Sequence, residues 1–160
     1  MTKPSSFEEA MEDPAWVDAM VEDYDSIVRN SAWEIFPRLE GKSVVGSIWI
    51  YKVNKTADES VEKYKARFVA RGFSQIEGID YEETFAPVAR YSSIQTILAL
   101  SVQMGWHIHQ MDVKTIFLNR VIEEEVYIEQ LEGFEIFSRE SHVCRLKRAL
   151  YGLKQEPHAW

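Results

Sequence analysis

Two runs of strict alternation, separated by one polar segment, restrict this chain more than any other feature of its 160 residues. From Val44 the pattern has a period of two: Ile48, Ile50 and Lys52 oppose Trp49, Tyr51 and Val53. The second run, Val61 to Ala70, repeats it, and both are rich in β-branched and aromatic types that suit a pleated surface. The polar stretch Asn54 to Ser60 between them predicts a β-hairpin. Alternate residues of a strand face the same way, so Lys63, Lys65 and Arg67, extended by Arg71, line one face, while Tyr64 and Phe68 turn toward a core.

Charge gives that face its interest. The net charge of -8 argues by itself against a polyanionic partner, but the charge is unevenly spread. Residues 1 to 40 carry 3 Lys or Arg against 10 Asp or Glu, whereas residues 42 to 71 carry 7 against 3. Arg145, Lys147, Arg148 and Lys154 form a second basic strip. Two readings stand at this point: a localised phosphate-binding surface, or a solvated strand face.

The globular balance of 46% hydrophobic and 28% charged residues excludes disordered, collagen-like and coiled-coil classes. One cysteine, Cys144, forms no internal bridge. With no basic-then-apolar leader and no run of 18 apolar residues, the expectation is an intracellular protein, cytoplasmic or nuclear, without a membrane span.

Around the hairpin, the first 34 residues read as helices. Ser6 with Glu9 fits a capping box, and Asp13-Pro14 supplies a cap followed by proline at the first helical position. Trp16, Ala19, Met20, Ile27 and Val28 mark the buried stripe of a helix ending near Asn30, with Asp18, Glu22 and Asp25 mostly toward water. Gly72 to Val88 reads as loop and short turns. Ser92 or Ser93 then caps a helix that buries Ile94, Ile97, Leu98 and Val102 and stops at Gly105. Trp106 to Val113 predicts a short buried strand, followed by a short helix through Phe117, a strand around Val126 to Ile128, a return near Val143 to Leu146 and a turn at Gly152. Helices mixed with largely antiparallel strands give an α+β class.

Asp112 ends the apolar Trp106 to Val113 run, where an unpaired carboxylate is costly to bury. It is either a functional group or the cap of the helix that follows. Its neighbours bear on the choice. Gln110-Met111-Asp112-Val113-Lys114-Thr115-Ile116-Phe117-Leu118-Asn119 resembles the first catalytic motif of copia-type (Ty1-like) retrotransposon reverse transcriptases. Upstream, Trp49-Ile50-Tyr51-Lys52, Tyr64 to Gln75, Gly78-Ile79-Asp80-Tyr81 and Thr84 to Val88 resemble the same family in the same order. Downstream, Glu124 to Ile128 and Ala149 to Gln155 continue the resemblance over nearly the whole chain.

The resemblance implies fingers and a partial palm: leading helices over 1–34, a fingers hairpin and loop over 42–90, and palm over 91–160. The family extends a primer on an RNA or DNA template with deoxynucleotide triphosphates, a phosphoryl transfer held by two Mg²⁺ ions about 3.5 to 4 Å apart. On this likeness Asp112 is the first catalytic and metal-binding aspartate, since hard oxygen ligands suit Mg²⁺. Lys65, Arg67 and Arg71 fall where a basic group folds onto the triphosphate, with Arg67 foremost by the family's pattern, and an arginine's planar fork can hold two phosphate oxygens. Phe117 matches the position that screens the sugar, with core packing as its plain alternative, and Gln155 a position against the nucleotide. Lys63 and Lys154 are the candidates for tracking template or primer phosphates.

Departures from the family pattern are equally specific. Glu59 and Arg120 stand where glycine is usual, Ile48 where lysine is common, Leu131 where proline is common, and Ile116 where the residue is usually small. Glu156 and His158 also differ. The family's second and third aspartates lie in a Tyr-Val-Asp-Asp-like hairpin beyond the segment matching Trp160, so the chain alone is expected to bind Mg²⁺ weakly and to be inactive. The rival reading is a non-catalytic nucleic-acid-binding module or an unselected transposon relic. A sheet lacking those strands is expected to expose an edge that invites self-association. His107 and His109, with His142 or Cys144, form only a weak metal-ligand alternative.

Overall fold

The computed structural model describes residues 3–82, 84, 89–111, 118 and 121–155. Helix α1 (Phe7–Met11) is capped by Ser6, whose hydroxyl accepts the Glu9 amide at 3.2 Å. The return arm of the expected capping box reaches one residue further back. The Glu9 carboxylate accepts from the Ser5 amide at 2.7 Å and the Ser5 hydroxyl at 2.8 Å, and these bonds hold it below the usual carboxylate range. Helix α2 (Pro14–Arg29) starts as its sequence dictates, with Asp13 Oδ1 accepting the Ala15 amide at 3.0 Å and Pro14 in the first turn. Trp16, Ala19, Met20 and Ile27 are buried, whereas Val28, expected among them, is half exposed. One residue past Ile27 is a turn of about 100° away from the core.

The expected helical stretch gives way to strand at its end. Strand β1 (Trp33–Pro37) begins within the 34 residues assigned to helices. Its partner lies far along the chain: Trp33 pairs with Leu146 and Pro37 with His142 of the strand His142–Leu146. Five residues with a partner so remote carry too little local pattern to be distinguished from the end of a helix.

The hairpin follows the alternation closely. Strands β2 (Ser47–Lys55) and β3 (Val61–Ala70) pair antiparallel, Trp49 with Phe68 and Tyr51 with Ala66, with a shift of register between Asn54 and Lys55. Its inner face is buried beneath α2. The Trp16 ring meets Tyr51 and Tyr64 edge-on at centroid distances of 5.4 and 4.8 Å, and the Tyr51 hydroxyl lies 3.5 Å from Met20 Sδ. Phe68 in turn touches Trp33 at 5.8 Å and Trp49 at 5.6 Å. Aromatic contacts thus join the hairpin to the second sheet, each adding about 0.5 to 1.5 kcal/mol beyond area burial.

That second sheet has the order β1-β5-β4, with β4 at Tyr127–Ile128 and β5 at His142–Leu146. Val45, just before β2, lies along β4: its amide donates to Tyr127 O at 2.8 Å and its carbonyl accepts from Glu129 N at 3.1 Å. The α+β class with largely antiparallel strands is the class expected from the sequence.

Helix α3 (Tyr91–Met104) and the segment after it depart from expectation. The cap position is Arg90, with no side-chain bond, rather than Ser92 or Ser93. Gly105 ends the helix in the left-handed region at φ 66°, as expected, where the absence of a Cβ makes that conformation inexpensive. The stripe Ile94, Ile97, Leu98 and Val102 is exposed, not buried; Ile97 is 61% and Val102 84% exposed. Periodicity marks which face is apolar, but burial needs a surface to cover it, and no described element covers this one. Residues 106–111 are unpaired rather than strand, and Ile108 is half exposed, for the same reason.

Candidate nucleotide and nucleic-acid interface

The register of the hairpin decides which cations share a face. Lys52 stands opposite Lys65, Ile50 opposite Arg67 and Asn54 opposite Lys63. Lys63, Lys65 and Arg67 therefore lie on the outer face together, as the alternation required, and Lys52 joins them. Lys52 was missed as a site residue because alternation within one strand leaves cross-strand partners undetermined. Directly opposed like charges destabilise a sheet. Among the described residues Lys52, Lys65 and Arg71 form no ion pair. Arg71 lies just past the strand, its amide donating to Gly46 O at 2.8 Å and its side chain lying along Gly46.

Two cations of this face are held by α2. Lys63 Nζ pairs with Glu22 at 2.8 Å, and the Arg67 guanidinium stands 4.0 Å from Asp23 and 4.5 Å from the centre of the Tyr151 ring. Asp23 is the unanticipated member. Its Oδ2 accepts the Phe68 amide at 2.8 Å, on the edge of β3 turned away from β2. Burial pushes its carboxyl above the usual aspartate range, against the opposing pull of the Phe68 amide and Arg67. In sequence it is one more acid among the acids of an amphipathic helix.

A turn carrying Tyr151, Lys154 and Gln155 abuts the end of β3. The Ala70 amide donates to Tyr151 O at 2.8 Å. Gly72 and Gly152 meet so closely that a Cβ on Gly72 would fall 2.1 Å from the Gly152 carbonyl oxygen. Gln155 is buried, its Oε1 accepting from Gln75 Nε2 at 3.0 Å and its Nε2 donating to Asp80 O at 3.2 Å. Lys154 Nζ donates to the Tyr81 hydroxyl at 3.0 Å.

Two cations of the other basic strip share one carboxylate. Glu34 of β1 pairs with Lys147 at 2.7 Å and Arg145 at 3.5 Å, which holds its pKa low. Arg148 Nη1 donates to Leu118 O at 3.3 Å. Glu34, Arg145, Lys147 and Arg148 line a shallow groove of about 470 Å³ with Val121 and Ile122.

Asp112 and Phe117 lie outside the described residues. Among the described residues no three of His, Cys, Asp and Glu gather as metal ligands, His107, His109, His142 and Cys144 included. Burial pushes the Cys144 thiol up to about 12, which leaves it protonated and inert at neutral pH. Among the described residues no helix is long and apolar enough to cross a membrane.

The family model described as reverse transcriptase (RNA-dependent DNA polymerase) matches residues 30–160, a span that takes in the hairpin, the Gln75 to Tyr81 loop and the Tyr151 to Gln155 turn. The chain is 40% identical over 161 residues to the retrovirus-related Pol polyprotein from transposon TNT 1-94 of Nicotiana tabacum, a match covering 99% of the chain. The chain belongs to the copia-type reverse transcriptase family. It is also 28% identical over 155 residues to the transposon Ty1-DR4 Gag-Pol polyprotein of Saccharomyces cerevisiae, with 91% of the chain covered. An uncharacterized mitochondrial protein of Arabidopsis thaliana is 38% identical over 102 residues, or 64% of the chain and 60% of that protein. This reverse transcriptase segment spans 12% of the tobacco polyprotein's length and 9% of the yeast one's. No solved structure matches it.

Proposed function

We propose that this reverse transcriptase segment acts as the basic, fingers-like part of an RNA-directed DNA polymerase, gripping the phosphates of template-primer and incoming nucleotide. The observation that carries the reading is the hairpin's outer face. Lys52, Lys63, Lys65 and Arg67 share it, two of them as an opposed like-charge pair with no acid partner among the described residues. A polyanion relieves that repulsion, and Arg67 offers a planar fork for phosphate oxygens.

Asp112 is the proposed first aspartate, and the Mg²⁺ of the family would polarise phosphoryl oxygens there. The described residues provide no donor set for that ion, and a single carboxylate holds it weakly. Nor do these 160 residues contain an Asp-Asp pair. The part proposed for these residues is phosphate binding.

The test is binding of a fluorescent primer–template duplex at 50 and 200 mM salt. Three to four phosphate contacts at a slope of about 0.9 each predict a loss of affinity of about 40- to 150-fold across that range. Lys65→Ala and Arg67→Ala each reduce the slope by about one contact. Primer extension by the same polypeptide gives no template-dependent product. Binding indifferent to salt and to both substitutions refutes the reading.

A further inference from the structure

The least expected group of side chains is the buried amide network joining the Gln75 to Tyr81 loop to the Tyr151 to Gln155 turn. Gln75, Asp80 and Gln155 are only 5%, 2% and 7% exposed. Polar groups so deeply buried are tolerated when they are paired, and these are paired with one another. Gln75 is the hub. Its Nε2 donates to Gln155 Oε1 at 3.0 Å, and its Oε1 accepts the Lys154 amide at 2.8 Å. Asp80 closes the loop behind it, with Oδ2 accepting from the Ile76 amide at 2.8 Å and the Ser43 hydroxyl at 3.2 Å. Its carbonyl accepts from the Gln155 side-chain amide, Nε2, at 3.2 Å.

The consequence falls on Lys154. Its backbone is fixed by Gln75, and its ammonium is fixed six residues further along the same loop, 3.0 Å from the Tyr81 hydroxyl and 4.7 Å from the centre of that ring. The same turn places Tyr151 beneath the Arg67 guanidinium at 4.5 Å. Packing of Gly72 on Gly152 and the bond from Ala70 to Tyr151 set that turn against the end of β3. A long lysine side chain otherwise spreads its charge over many rotamers.

We infer that Gln75 is a positioning residue: by holding Lys154 against the Gln75 to Tyr81 loop, it adds that ammonium to the polyanion-binding surface of the hairpin. This rests on the proposed phosphate-gripping role. It assigns a function to a buried glutamine that acts through the backbone of Lys154.

The decisive experiment is a double-mutant cycle on the same duplex-binding assay, accompanied by amide exchange followed by NMR. Lys154→Ala lowers the salt slope by about one contact, equivalent to a loss of affinity between 50 and 200 mM salt about 3.5-fold smaller. Gln75→Met, of similar length but without either hydrogen bond, produces the same reduction, and the double variant shows no further change. The Lys154 amide exchanges faster in Gln75→Met while residues 61–70 remain protected. If Gln75→Met also unprotects those residues, Tyr81→Phe, which removes only the hydroxyl at the ammonium, produces the Lys154→Ala slope. Additive losses in the double variant, an unchanged Lys154 amide, or a Tyr81→Phe slope equal to wild type overturns the inference while the hairpin reading stands. A wild-type chain without salt-dependent binding overturns both.

Discussion

Glu59 shows how a single residue reports on the turn around it. It sits at φ 63° in the connection between β2 and β3, its amide donating to Thr56 O at 3.1 Å. The left-handed region costs a residue with a Cβ about 1 to 2 kcal/mol, and glycine returns about half of that gain through its freer unfolded state. Glu59→Gly is therefore expected to raise stability by about 0.5 to 1 kcal/mol, seen as a higher denaturant midpoint with an unchanged slope. The family's usual glycine marked this position in the sequence, where the turn geometry itself was not legible. Asp23 had no such mark. Its pKa lies above the ordinary 3.8 when folded, so the native state binds more protons than the unfolded chain, and its contribution to stability falls as pH rises from 3.8 through the raised value. Asp23→Asn keeps an oxygen for the Phe68 amide and removes that loss. Denaturation from pH 3.5 to 7 is expected to show the variant gaining on wild type with rising pH, then running parallel above Asp23's folded pKa. Asp23→Ala leaves the amide unpaired and loses about 1 to 3 kcal/mol.

Among the elements, the hairpin and α3 mark the two ends of what periodicity reveals. Alternation located β3 residue for residue, and β2 to within three residues at its start and two at its end, because both partners lie within one short stretch and a one-residue slip would turn Trp49, Tyr51 and Phe68 outward. It did not find β1, whose partner is distant, and it assigned the α3 stripe to a core that no described element supplies. The difference is measurable. For exposed positions, Ile97→Gln changes stability by no more than about 0.5 kcal/mol, whereas a polar substitution in a packed core costs several times that. Thermal melts of the variant distinguish the two, and an apolar dye that binds wild type should fluoresce less with Ile97→Gln. At the site the same division holds: the basic face follows from period two, while Lys52 and Asp23 required a register and a helix position that no local pattern encodes.

Over the whole molecule, the pairing of β1 with β5 bears on how the chain is made. Residues 33–37 stand against residues 142–146, so the first strand of this sheet is synthesised long before its partner exists. At about 5 to 20 residues per second the ribosome needs roughly 5 to 20 s to deliver the intervening stretch. The β2–β3 hairpin, closed by a five-residue turn, has its own strand pairing and its contacts with α2 available well before then, while its contacts with Tyr151 wait for the end of the chain. The nascent chain thus completes its basic hairpin early and carries Trp33, Ile35 and Phe36 unpaired until the Val143 to Leu146 segment emerges, an interval in which a holding chaperone has a defined strand to recognise.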